Sequence, residues 1–185
     1  ARYAVVFAPC LNMVDEGLSA KLGQYVRAGG VLVLTPQSGT RTPTNLMTDR
    51  TRPGLLAPLA GVTVEECRSY HHGQTHEISF ARGGLIAQTC TVGLWVEILQ
   101  ATTADPVAEY RGEPYTGRPA ITCNAVGKGR VFYMGVYLPR PVLEAFLHDI
   151  LPDFPVKDIP EGVEVTLRKG PDRRLLFVLN NTRER

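Results

Sequence analysis

The 185 residues suffice for one globular domain with a small appendage, and a domain of that size buries roughly 70% of its unfolded surface, so it needs no staples. Lys and Arg number 20 against 18 Asp and Glu; the formal charge of +2 gives no net pull on nucleic acid or anionic lipid and disfavours both as partners. No apolar run approaches the ~18 residues needed to cross a bilayer, no secretory-signal pattern opens the chain, and four cysteines at 10, 67, 90 and 123 include no C-x-x-C pair, so the chain reads as cytoplasmic with buried free thiols.

The run YAVVFA at 3–8 is short, β-branched and closed by Pro9, which predicts a strand covered on both faces. A helix follows. Asp15 can cap it, Leu18, Leu22, Tyr25 and Val26 share one stripe, and Gly29 supplies a left-handed stop. VLVL at 31–34 is a second buried strand, and the helix between the two predicts a parallel βαβ unit. Residues 36–54 are rich in Thr, Arg, Pro and Asn and read as a long irregular loop, of a length that is usually functional or interfacial. Beyond it come a helical turn at 55–60 and strands at 62–66, 78–80, 85–87, 94–99 and 107–110. Strands at 120–126 and 130–136 flank Gly127-Lys128-Gly129, a tight hairpin turn rather than a phosphate loop, since no Ser, Thr or helix follows it. Val142, Leu143, Phe146, Leu147, Ile150 and Leu151 mark another amphipathic helix that Pro152 ends. A proline-rich linker at 152–162 then leads to a hairpin at 163–167 and 175–179, which is marginal alone and needs a β-partner. Both ends of the chain read as cuts in a longer polypeptide.

Reactive groups are sparse. A nucleophile elbow wants Gly-x-Ser-x-Gly, whereas Ser38 has Pro36 two before it and Thr40 two after, so it reads as a turn-forming hydroxyl. Cys10, Cys67, Cys90 and Cys123 lack the flanking glycines of such an elbow. His71, His72 and His76 with Cys67 and Glu77 are the best metal candidates, but Gly73 and its polar neighbours argue for a solvated loop. Glu65, Glu66, Glu97, Glu109 and Asp105 offer carboxylates without a spacing that makes a facing pair. Trp95, Tyr110, Tyr115, Tyr133 and Tyr137 read as packing before they read as sugar platforms.

In order along the chain, Tyr3 with VVFAP, Tyr25-Val26 before Ala28-Gly29-Gly30, VLVLTPQSG, Leu59-Ala60-Gly61-Val62, Trp95-x-Glu97, residues 115–120, Asn124 with GKGRVFYMG, and GVEVTLR followed by LLFVLNNT resemble the non-barrel portion of glycoside hydrolase family 42 β-galactosidases. The resemblance covers nearly all 185 residues. It implies a flavodoxin-like, class I glutamine-amidotransferase-like α/β fold with a doubly wound, mainly parallel sheet. It divides the chain into an amidotransferase-like trimerisation domain at 1–155, lacking its first strand-helix-strand, and a linker with a hairpin opening a C-terminal β-domain at 156–185. The loop at 40–54 departs from the acidic, Asn-rich pattern of that family. The function implied is a noncatalytic oligomerisation fragment of a glycosidase that hydrolyses terminal β-galactosides with retention; the galactoside would sit in a barrel outside this chain. A homo-oligomer, a trimer in the parent, is the expected partner arrangement, with no catalytic, cofactor-binding or metal residue and no cofactor assigned here. A stand-alone amidotransferase-like hydrolase or transferase, and a carbohydrate-binding module, are the alternatives.

Overall fold

A computed structural model describes residues 3–71, 73–151 and 159–182, and the chain divides into two compact units, residues 1–151 and 152–185. In the first, β1 (Val5–Ala8) and β2 (Val31–Leu34) pair in parallel across helix α1 (Glu16–Arg27). Asp15 caps the helix by accepting the Leu18 N–H at 2.6 Å, and Gly29, at φ +105, turns the chain out of it. This is the βαβ unit that the apolar spacing predicts.

After the loop, a 3-10 turn (Gly54–Leu56) runs into the short helix α2 (Ala57–Ala60). Strands β3 (Val62–Ser69), β4 (Thr75–Phe80), β5 (Thr89–Gly93), β6 (Trp95–Ala101), β7 (Asp105–Arg111), β8 (Pro119–Val126) and β9 (Gly129–Met134) follow, then helix α3 (Arg140–Ile150). β3 and β6 form a separate two-stranded ribbon, while the main sheet runs β1-β2-β9-β8-β7-β4-β5. Among the described residues its β1–β2 and β2–β9 neighbours are parallel and the rest antiparallel, so the sheet is mixed rather than mainly parallel. The reason lies in the connections. Parallel neighbours need a crossover, whereas β8 and β9 are joined by the two-residue turn Gly127-Lys128, which can only make an antiparallel hairpin.

Two other expectations fail locally. Residues 85–87 form a turn, with Gly83 at φ +80 and Ala87 at φ +63, and the neighbouring strand is instead β5. Among the described residues β1 lies at the end of the sheet beside β2, and Phe7 is exposed, so it is not covered on both faces.

Both faces of the sheet are packed. One carries α1, α2 and the β3–β6 ribbon over Leu32, Leu34, Val131 and Tyr133; the other carries α3, whose Phe146 and Ile150 pack with Val33, Phe80 and Phe132. Each covering element buries an apolar stripe against the sheet. Asn124 on β8 ties the layers together, donating to the Leu59 carbonyl at 2.9 Å and accepting from Thr103 Oγ1 at 3.1 Å. In the second unit, β10 (Val163–Lys169) and β11 (Arg174–Asn180) pair antiparallel, as the alternation predicts. The segment 152–158, the first part of the predicted linker, lies outside the described residues. Among the described residues no helix is long and apolar enough to cross a membrane.

Candidate functional site

In an α/β sheet the carboxyl edge of the parallel strands is where loops assemble sites. Here that edge is the turn after β1, ending at Cys10, and the turn after β2, Thr35 to Gly39. Cys10 and Gln37 both take left-handed backbone, at φ +46 and +69. The Cys10 N–H donates to Thr35 Oγ1 at 2.7 Å, and Cys10 Sγ lies 3.1 Å from the Tyr137 hydroxyl. Ser38 is fully buried and its hydroxyl donates to the Thr35 carbonyl at 2.7 Å. It closes a turn, as its sequence context predicts.

The residue that organises this edge is Glu97, in the middle of β6 and 1% exposed. Its carboxylate accepts the Gln37 N–H at 2.8 Å, the Tyr133 hydroxyl at 2.8 Å and the Trp95 indole N–H at 3.3 Å. Burial pushes the Glu97 carboxyl above the usual glutamate range, against the opposing pull of those donors and of Arg52. The Tyr133 hydroxyl is pushed far up by burial and by the neighbouring carboxylate. With its acceptor positions filled from three directions, Glu97 is a latch on the turn after β2. Burial likewise raises Tyr137, which keeps its proton and so cannot act as a base toward Cys10.

The other candidate residues are dispersed. Cys67 accepts from Arg52 Nη1 at 2.9 Å, and burial raises the thiols of Cys90 and Cys123. All four cysteines are free, as expected, but Cys10 is exposed and the others are half-buried, so the expectation of buried thiols is corrected at Cys10 and holds only in part at Cys67, Cys90 and Cys123. Glu65 pairs with Arg118, Glu66 with Arg68, and Asp105 with Arg82 at 2.9 Å, while Glu109 sits half-buried on β7. A cavity of about 280 Å³ between the sheet and α3 has Phe80, Leu85, Phe132 and Phe146 in its lining, with Arg82 and Asp149 among its charged members. Tyr110 and Tyr133 are fully buried, Tyr115 nearly so, and Trp95 and Tyr137 half-buried. These rings make core, with no exposed row for a sugar to stack on.

His71 is exposed and its backbone N–H donates to Gln74, His72 lies outside the described residues, and among the described residues no three His, Cys, Asp or Glu side chains converge as a metal site. His76 instead joins an aromatic box. Its Nε2 lies 2.8 Å from the Tyr70 hydroxyl and its ring packs edge-on to Tyr70, Tyr110 and Tyr115. Burial, reinforced by Arg68, lowers the His76 pKa. The unfolded chain then binds more protons between that lowered value and about 6.5, so stability from this group is present above about pH 6.5 and is lost as pH falls through the folded value. We expect His76→Gln to flatten the fall of Tm on acidification from neutral pH, read by thermal melts at a series of pH values; an unchanged slope would remove His76 from the account.

The profile of the β-galactosidase trimerisation domain matches residues 1–157. The chain belongs to that family. Among curated relatives, the β-galactosidase BgaA of Planococcus sp. (strain 'SOS Orange') is 32% identical across the whole chain, and BgaP of Planococcus sp. (strain L4) is 34% identical across 98% of it. Among solved structures, the β-galactosidase of Bacillus circulans sp. alkalophilus superposes on 97% of the chain with a TM-score of 0.88 at 30% identity. The trimerisation domain and its hairpin span little more than a quarter of these proteins, 28%, 27% and 27% respectively. The resemblance to glycoside hydrolase family 42 drawn from the ordered motifs therefore holds. What motif reading missed is the role of Glu97 in this domain. The visible signal was a lone acidic residue inside the apolar run WVEIL.

Proposed function

We propose that this chain is the noncatalytic oligomerisation part of a β-galactosidase-like glycoside hydrolase, holding copies of the longer protein in a closed trimer while a barrel elsewhere hydrolyses terminal β-galactosides. The observation that carries the reading is the family match over residues 1–157 by a chain spanning about a quarter of each relative. The carboxyl edge supports it: Glu97 is committed to holding a turn, and the partners of Ser38 and Cys10 are a carbonyl and hydroxyls, with no base among them. The same reading takes the fold as flavodoxin-like and amidotransferase-like, with residues 1–155 as the trimerisation domain and 156–185 as the opening of a β-domain. Supporting it are a sheet covered by helices on both faces and a parallel βαβ start. Four free thiols fit a reducing, cytoplasmic setting.

Sedimentation equilibrium of the 185-residue chain over a concentration series tests this. Trimers without hydrolysis of a chromogenic β-galactoside are expected. A monomer at every concentration, or galactosidase activity from this chain alone, would overturn it.

A further inference from the structure

The loop after β2 is built as a platform. Met13 bridges to Arg41 in parallel and Arg41 to Met47 in antiparallel fashion, which lays three short segments side by side. Backbone bonds fix them: Arg41 N–H to the Asn12 carbonyl at 2.9 Å, Thr48 N–H to the Thr40 carbonyl at 3.0 Å, and Thr42 N–H to the Leu46 carbonyl at 2.8 Å. The Arg41 guanidinium holds the tip by donating to the Asn45 carbonyl at 3.0 Å. On this ordered base Met13, Leu46 and Met47 stand 52%, 67% and 59% exposed. Ordering three large apolar side chains in water has no folding benefit, and such clusters mark interaction surfaces. Ile86 and Leu94, also strongly exposed, sit on separate turns away from this loop.

Beside the ridge lies a hollow of about 270 Å³, whose apolar wall of Val14, Pro43 and Leu55 is edged by five charged residues, Asp15, Glu16, Arg41, Asp49 and Arg50. A ridge and a hollow carried on one loop form a pair of unlike surfaces. Contacts between unlike surfaces are heterologous and build rings when the rotation closes, whereas a self-complementary patch builds dimers. We propose that the occupant is a second copy of this chain: the ridge of Met13, Leu46 and Met47 seats in the loop hollow of the next copy, repeating around a threefold axis. This rests on the trimer reading, and the family description is what selects a copy of the chain over an unrelated partner. Stable interfaces bury about 800 Å² per partner, so the ridge is the apolar centre of a larger contact, and Thr42 and Arg50, which line the hollow, supply polar groups to it.

The double variant L46E/M47E tests this against I86E, with the whole 185-residue chain in sedimentation equilibrium and circular dichroism as a check of folding. A trimeric wild type, a trimeric I86E, and L46E/M47E weakened about a hundredfold or more with an unchanged spectrum would support the ridge. If L46E/M47E disturbs folding, the uncharged L46S/M47Q takes its place, with association expected to weaken about tenfold or more. Wild-type and ridge variants trimerising alike would overturn the ridge and leave the trimer standing; a monomeric wild type would overturn both.

Discussion

Glu97→Leu should destabilise the trimerisation domain by about 3–5 kcal/mol in urea unfolding, a large share of the 5–15 kcal/mol typical of a whole domain. The carboxylate itself gains little from being buried. The cost comes from what is left behind: the Gln37 N–H, the Tyr133 hydroxyl and the Trp95 indole N–H all point at Glu97, and leucine accepts from none of them. An orphaned buried donor such as the Tyr133 hydroxyl costs about 1–3 kcal/mol, and the half-buried Gln37 and Trp95 N–H groups cost less each. Adding Tyr133→Phe to Glu97→Leu removes one orphan, so the double variant should be less destabilised than the sum of the singles. Glu97→Leu within about 1 kcal/mol of wild type would show that the latch is not under load.

The same group carries a pH dependence of opposite sense to that of His76. Because the fold raises the Glu97 pKa, the native chain binds more protons than the unfolded chain from about pH 4.3 up to the raised value. Stability from this group is therefore full below about pH 4.3 and falls as pH rises through the window. Glu97→Gln carries no titrating proton there, so its Tm relative to wild type should climb with pH across that interval. A flat difference would contradict the assignment.

Gly39→Ala is expected to cost about 3 kcal/mol or more. Gly39 sits at φ +65, and a Cβ there would lie 2.0 Å from the Pro53 carbonyl oxygen and 2.8 Å from its carbon. The left-handed conformation alone costs a non-glycine residue about 1–2 kcal/mol. The remainder is backbone that must move, because the beginning of the loop is pressed against its end: Gly54 in turn approaches the Gly39 carbonyl. Gly112→Ala separates the two contributions, since Gly112 has φ +79 and open space around it, and about 1 kcal/mol is expected there. Equal midpoints for the two variants would mean that the Gly39–Pro53 contact bears no load. Gly39→Ala should also speed tryptic cleavage after Arg41 and Arg50, since freeing the loop from its anchor opens it to proteolysis.

The elements that could be read from the amino acids are those whose determinants lie close together. Asp15 and Gly29 bracket α1, Gly127 and Gly129 mark the β8–β9 turn, and the Val163, Val165, Leu167 alternation marks β10. β5 escaped because its alternation is too short to stand out: only Cys90 and Val92 turn toward the core, between Thr89 and Thr91. The run 85–87 misled because it is apolar, yet Gly83 and Ala87 take positive φ and turn the chain. Sheet direction was misjudged for a different reason: the helix-linked start is parallel and so is the β2–β9 pair, but among the described residues the pairs from β9 outward are antiparallel, and strand order there joins segments that the sequence does not mark as neighbours. The latch had the same weakness. Glu97 was visible as an anomaly, but its partners lie 60 residues before and 36 residues after it, and only the folded chain brings them together.

The β2–β9 pairing also sets an order of events during synthesis. The first strand, helix and second strand emerge from the ribosome early, but the inner flank of β2 stays bare until residues 129–134 follow. The C-terminal end of α1 waits as well, since the Arg27 carbonyl is met by the Lys128 N–H at 3.1 Å. At translation speeds of about 5–20 residues per second, that half-built sheet persists for roughly 5–20 seconds. For that interval a nascent chain presents an uncapped strand of Val, Leu, Val and Leu, the kind of segment that folding helpers bind.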